Sequence, residues 1–251
     1  MPRAGRIPRV GRPAQGEAIR AVDPRNPAGQ FLLGEHLYRA GKYEEALKAY
    51  RDAGRLGPEA QYFEAQGRAS EKLGQYDDAL REYGEATAAN LTYLAPRLGR
   101  GRVRLLRREY TLAVVELTAA QKVAPENPEV LRDLGRAYIA MGDVRQGVPL
   151  LEQAAALAPR DPLTHWTLGD TYFETERAQL AIQHLGRAVE LAPEKADWVP
   201  EAYRVLGYAH RAVNNKAGAI AAWKQYLQRT AKSEGPARTE VQRLLLRMGA
   251  K

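Results

Sequence analysis

Leu134-Gly135-Arg136-Ala137-Tyr138 and, 34 residues later, Leu168-Gly169-Asp170-Thr171-Tyr172 share one pattern: leucine, glycine, two variable residues and a tyrosine. Working outward, the glycine recurs at Gly34, Gly67, Gly101, Gly135, Gly169 and Gly207, with spacings of 33, 34, 34, 34 and 38 residues. Twelve residues after each glycine stands a small residue: Ala46, Ala79, Ala113, Gly147, Ala181, Ala219. Four further on stands a large one: Tyr50, Tyr83, Leu117, Leu151, Leu185, Trp223. Another small residue follows at Ala53, Ala86, Ala120, Ala154 and Ala188, with Tyr226 in the sixth unit. Pro58, Pro125, Pro159 and Pro193 close four of the units. A fixed period of this length is the mark of a stacked repeat architecture.

The spacing predicts a pair of antiparallel helices in each unit. Small residues let two helices approach, and a large residue one turn away fills the groove between them. Gly41, Gly74 and Gly142 mark the short turns, because glycine takes the positive φ that ends a helix. A closing proline cannot continue the preceding helix and suits the first turn of the next. One helix pair cannot cover its own apolar face, so neighbours must stack.

These residues resemble the tetratricopeptide-repeat (TPR) family. The two quoted stretches and Leu33-Gly34 match its leucine–glycine–tyrosine core, and GKYEEAL at 41–47 and GQYDDAL at 74–80 match its inter-helix turn. The resemblance covers about four-fifths of the chain, and Ala-, Arg- and Gly-rich usage suggests a bacterial source. It implies an all-α, right-handed superhelical solenoid of six repeats at 27–59, 60–93, 94–127, 128–161, 162–195 and 200–232. An Arg/Pro-rich extension with a partial helix (1–26) precedes them and a capping helix (233–251) follows. Bacterial pilus-assembly TPR lipoproteins have a similar repeat number and length, although the lack of an N-terminal cysteine argues against an intact member.

Hydrophobic residues make up 45% of the 251, the proportion of a folded protein. With no cysteine there is no disulfide, thiol chemistry or cysteine zinc site. The start lacks the apolar stretch of a secretory signal, from which a cytoplasmic location is expected, with a periplasmic or membrane-associated complex as the alternative. The net charge of +8 divides into +4 within residues 1–26 and +4 within 229–251, and the body between them is balanced. A uniformly basic nucleic-acid surface is therefore not expected, and any contact with nucleic acid or acidic lipid is confined to the basic ends.

Several irregularities interrupt the pattern. Arg100 stands where most repeats have leucine, in a helix that also carries Arg97, Arg102, Arg104, Arg107 and Arg108, and an inward Arg must snorkel or pair. Pro149 is expected to distort the first turns of its helix. Residues 196–199 are an insertion that lengthens one loop. Residues 14–23 read as a lone helix, and Val241, Leu244, Leu245 and Met248 form the stripe of an amphipathic one.

No catalytic constellation stands out, so no enzyme activity, cofactor or metal is expected. His36, His165, His184 and His210 form no metal-ligand spacing, and no phosphate-binding glycine loop occurs. Paired acids such as Glu44/Glu45 and Asp77/Asp78 sit at helix starts, where they favour the helix dipole. The resemblance implies instead a concave groove lined by positions 2, 5, 9, 12 and 13 of each first helix. Carried onto this chain, those positions give the candidate partner-binding residues Phe31, Tyr38, Arg68, Arg102, Arg132, Arg136, Trp166, Phe173, Arg204 and Tyr208. Tyr, Trp and Arg dominate many interfaces, and Arg68, Arg102 and Arg136 form a ladder facing an extended, acidic partner segment. No groove position is Asn, which argues against chaperone C-terminus recognition. The expected role is a non-catalytic scaffold or adaptor. The alternative is a structural subunit docking through its basic termini to a neighbouring subunit, nucleic acid or acidic lipid.

Overall fold

The computed structural model describes residues 25–193, 195–231 and 234–249; the expected helix at 14–23 lies outside them. Thirteen α-helices and no strand occur among the described residues. The chain divides into two compact units, up to Val123 and from Ala124. The first holds α1 (Pro27–Arg39), α2 (Tyr43–Leu56), α3 (Ala60–Lys72), α4 (Tyr76–Ala89), α5 (Leu94–Leu106) and α6 (Tyr110–Val123). The second holds α7 (Pro128–Ala140), α8 (Val144–Leu157), α9 (Pro162–Glu174), α10 (Ala178–Leu191), α11 (Val199–Ala212), α12 (Lys216–Arg229) and α13 (Pro236–Arg247).

Each repeat is one helix pair, and within each unit its second helix packs on the first helix of the next repeat. First helices also touch in sequence: α3 with α5, and α7 with α9 with α11. That places their side chains in one row within each unit.

The glycine register is a steric requirement. A Cβ added at Gly34, Gly67, Gly101, Gly135, Gly169 or Gly207 would stand 2.2–2.8 Å from the large residue sixteen positions on, from Tyr50 through Trp223. Those six large side chains are all buried, as are the alanines Ala46, Ala79, Ala113, Ala181 and Ala219 against which the pairs close. The indole N–H of Trp223 donates to the Arg204 carbonyl at 3.1 Å, so even this largest filler leaves no unsatisfied polar atom.

One turn is built six times. Residues 41, 74, 108, 142, 176 and 214 all have positive φ, supplied by glycine three times and by Arg108, Glu176 and Asn214 otherwise. The next amide in each case reaches back to the carbonyl five residues earlier, as Lys42 does to Leu37 and Asn215 to His210. Three of the first helices start on Asx–Pro pairs: Asn26, Asn127 and Asp161 cap α1, α7 and α9 with a side-chain oxygen, and proline follows at the first helical position.

The irregular positions resolve as follows. Arg100 is paired with Glu116 at 2.7 Å. Helix α8 runs unbroken through Pro149, so the proline does not interrupt it. Helix α13 lays Val241, Leu244, Leu245 and Met248 against Trp223 and Tyr226 of the last repeat. Among the described residues no helix is long and apolar enough to cross a membrane.

Candidate partner-binding groove

In the N-terminal unit the first-helix row is organised around Arg68. Its Nη2 donates to Glu35 at 2.6 Å and its Nε lies 3.0 Å from Glu64, while its guanidinium sits 5.0 Å from the centre of the Tyr38 ring. Burial would raise the pKa of Glu35, but hydrogen bonds donated by Tyr50 (2.7 Å) and Arg68 hold it below the ordinary carboxylate value. Burial pushes Glu64 up, with Arg68 opposing. Arg68 itself is held above its ordinary value: burial is outweighed by its two carboxylates. The group is a neutralised network, with Arg68 fixed between acid and ring.

Phe31 packs at 5.8 Å on Tyr50 and 5.2 Å on Tyr62, which makes it part of the contact between repeats. Tyr38 meets Tyr43 edge-on at 5.2 Å. Arg102 lies half-buried on α5.

In the C-terminal unit Arg132 is buried, bonded at 3.0 Å both to Asp133 and to Asp161, the residue that caps α9. It therefore joins two repeats. Arg136 is 38% exposed and touches Asp133 at 3.5 Å. Trp166 stacks on Trp198 at 5.9 Å and 18°. Phe173 faces Tyr208 at 6.4 Å. Arg204 bonds Glu201 and lies 5.4 Å from the Tyr208 ring centre, and the Tyr208 hydroxyl donates to Glu240 at 2.7 Å.

One participant lies outside the first-helix positions expected to line the groove: Trp198, which comes from the insertion at 196–199. Asp170 occupies the same position as Arg68 and Arg136 in its own repeat. It is half-buried, and among the described residues no side chain hydrogen-bonds or ion-pairs with it. Burial, then the neighbouring Glu174 and Glu201, push its pKa up to about 6, with Arg204 only partly offsetting them.

His165 and His184 join the two helices of repeat five through their Nδ1 atoms, 3.0 Å apart. His165 Nε2 lies 3.1 Å from the Pro159 carbonyl, which can only accept, so Nε2 carries the proton. In that tautomer the His165 Nδ1 accepts from His184. Among the described residues no group of His, Asp and Glu is placed to hold a metal ion.

The sequence profile described as Tetratricopeptide repeat matches residues 64–131 and 132–196, just over half of the chain. A second, described as Anaphase-promoting complex, cyclosome, subunit 3, matches residues 15–86. The TPR repeat-containing protein PA0015 of Pseudomonas aeruginosa is 35% identical over 91 residues, 36% of this chain and 81% of that protein. The Hsp70-Hsp90 organizing protein of Triticum aestivum is 25% identical over 126 residues; the match takes in 50% of this chain but only 22% of the wheat protein. Among solved structures, Pseudomonas aeruginosa PilF superposes with a TM-score of 0.73 at 18% identity, covering 91% of this chain and 98% of that one. The APC/C hetero-tetramer Cut9–Hcn1 superposes with a TM-score of 0.69 at 21% identity, covering 88% of this chain and 43% of that one. These structural likenesses speak for the fold. Taken with the six-fold glycine register and the bacterial relative, they lead to one conclusion: the chain belongs to the tetratricopeptide-repeat family, as an all-α solenoid of bacterial type.

Proposed function

We propose that this chain is a non-catalytic scaffold that holds an extended segment of a partner protein along the first-helix row. The observation that carries the reading is the row itself. Tyr38, Arg68 and Arg102 in one unit, and Arg136, Trp166, Phe173, Arg204 and Tyr208 in the other, occupy positions 5, 9 and 12 of their first helices and are not fully buried. Rigid aromatic and guanidinium groups at a regular spacing suit a strand-like ligand better than a compact one. Phe31 and Arg132 belong to the supporting structure of the groove. The relatives agree in kind: one is named as an organiser of Hsp70 and Hsp90, and another is part of a hetero-tetramer.

Acidic residues of the segment would engage Arg136 first. It is exposed and has a single long contact to give up, whereas Arg68 is held by two carboxylates. Affinity should accordingly fall as salt rises through about 0.1–0.5 M. The charge distribution favours one second reading, in which the basic ends dock to a neighbouring subunit, nucleic acid or acidic lipid. A cytoplasmic setting is part of the first reading.

Site-specific photo-cross-linking tests it. A cross-linking side chain at Tyr38, Arg136 or Phe173 should capture the partner. The same group at Leu157 or Leu180, exposed on second helices, should not. Capture only from the second-helix positions would overturn the groove reading.

A further inference from the structure

Within the C-terminal unit, Trp166, Asp170 and Phe173 stand about one turn apart on α9, at positions 5, 9 and 12. Both rings belong to aromatic pairs: Trp166 stacks on Trp198 at 5.9 Å, and Phe173 faces Tyr208 of α11 at 6.4 Å. The carboxylate between them is half-buried, and among the described residues no side chain hydrogen-bonds or ion-pairs with it. The charges that act on it are Glu174, Glu201 and Arg204, an acidic excess.

Repeat one shows what an acid at position 9 and a ring at position 12 hold. Glu35 and Tyr38 fill those positions, and the Arg68 guanidinium lies 2.6 Å from the acid and 5.0 Å from the ring centre. That cation comes from position 9 of the next repeat. In repeat six the same position is Tyr208, which brings no charge. The nearby arginines are engaged: Arg204 bonds Glu201, and Arg136 touches Asp133 at 3.5 Å. A planar cation is the group that both pairs with a carboxylate and stacks on aromatic faces.

Arg136 holds position 9 one repeat earlier, on α7, which touches α9 within the same unit. Helices in contact lie roughly 8–10 Å apart, and an extended strand rises roughly 3.3 Å per residue. Arg136 and Asp170 therefore face side chains about three residues apart on a bound strand.

We propose that repeats four to six read a bipolar segment of a partner protein, with an acidic residue on Arg136 and, about three residues along, an arginine on Asp170 beside the Trp166 and Phe173 rings. The proposal rests on the reading of the first-helix row as a docking surface and names the partner's chemistry there. Charge complementarity sets the order of the two residues. A uniformly acidic segment would bring a further acid up to Asp170, Glu174 and Glu201, whereas an arginine neutralises the excess.

The test selects phage-displayed random dodecapeptides on the full chain and on its Asp170→Asn and Arg136→Gln variants. The parent should enrich peptides carrying an acid and an arginine about three residues apart. Asp170→Asn should lose the arginine and keep the acid, and Arg136→Gln should do the converse. A fluorescently labelled peptide from the parent selection, followed by anisotropy, should bind saturably and weaken about tenfold or more on Asp170→Asn, with no loss of melting temperature. If acids are enriched without arginine, or if arginine enrichment survives Asp170→Asn, the proposal falls and the groove reading stands. If the selected peptides bind the Asp170→Asn, Arg136→Gln and Trp166→Ala variants as tightly as the parent, they dock elsewhere and both readings fall at this surface. A selection that enriches no peptide overturns the proposal and leaves the groove to the cross-linking experiment.

Discussion

Two glycines in neighbouring helices show how differently one residue type is used. Gly67 closes on the Tyr83 ring, where an added Cβ would lie 2.6 Å away; at Gly84, which follows Tyr83 on α4, an added Cβ would meet nothing within 4 Å. Gly67→Ala must displace a buried ring and should cost about 1–3 kcal/mol. Gly84→Ala should gain about 0.5–1 kcal/mol, because alanine gives up less backbone freedom in a helix. Urea titrations of the two variants should move the midpoint in opposite directions, and a common direction would refute the steric account. Asp170 allows a pH test. Its folded pKa is raised to about 6 against an ordinary 3.8, so the folded state binds the proton more readily. Stability linked to this group is therefore present below pH 4 and lost as pH rises through 6. Asp170→Asn should stabilise the chain by about 1 kcal/mol at pH 7.5, after allowance for solvent screening, and by nothing below pH 4. His184, held below its ordinary value by burial and then by His165, has the opposite slope. Its contribution is full above about pH 6.5 and lost on acidification, so the two groups are best separated with Asp170→Asn and His184→Gln variants melted side by side.

At the scale of the element, the helix pairs were readable because packing leaves few choices. Six glycines, six small residues and six large ones recur in register, and the structure brings each glycine onto its large partner. The turns were only half visible. Gly41, Gly74 and Gly142 announce themselves, whereas Arg108, Glu176 and Asn214 take the same positive φ with residues that usually avoid it. The groove was less legible for a related reason. Position in the repeat tells which side chains share the row, but not which are already neutralised. Repeat position alone does not tell that Glu35 and Glu64 surround Arg68, or that Asp133 and Asp161 hold Arg132. Helix α13 was legible from its stripe, and it provides a prediction. Leu245 is buried against Trp223 and Tyr226, while Leu246, one residue on, is 72% exposed. Leu245→Asp should cost more than the 1.5–3 kcal/mol of lost burial, since it also buries a charge. Leu246→Asp should fall within about 0.5 kcal/mol of the parent. Equal effects in thermal melts would mean that the helix does not pack as described.

Across the whole molecule, stability should be uneven, because each repeat contacts only its neighbours and no single core averages over the differences. Positions 4, 7 and 11 of a first helix face the packing. They are Leu131, Leu134 and Tyr138 in repeat four and His165, Leu168 and Tyr172 in repeat five, but Arg97, Arg100 and Arg104 in repeat three. The three arginines have outer partners: the Leu91 carbonyl for Arg97, Glu116 for Arg100 and Glu109 for Arg104. Their Nε atoms are nevertheless buried without an acceptor. An unsatisfied buried donor costs roughly 1–3 kcal/mol, and each arginine also replaces apolar contact that other repeats enjoy. Repeat five shows the contrary case. Leu168 and Leu185 are fully buried, Tyr172 nearly so, and they share one apolar cluster with Val205 and Leu206 of the next repeat. Local opening should then cost least at α5 and most at α9. Amide hydrogen exchange followed by mass spectrometry reads this directly, since exchange by local opening ranks segments by their own free energy. Peptides from residues 97–106 should take up deuterium well before peptides from 165–173. Replacing Arg100 and Glu116 together with leucine removes the pair without leaving a lone charge, and should slow exchange in α5. Arg100→Leu alone should help less, because Glu116 stays half-buried without its cation. If α5 exchanges as slowly as α9 in the parent chain, the orphaned Nε atoms carry no energetic weight, and the arginines are as good a core as leucine at these positions.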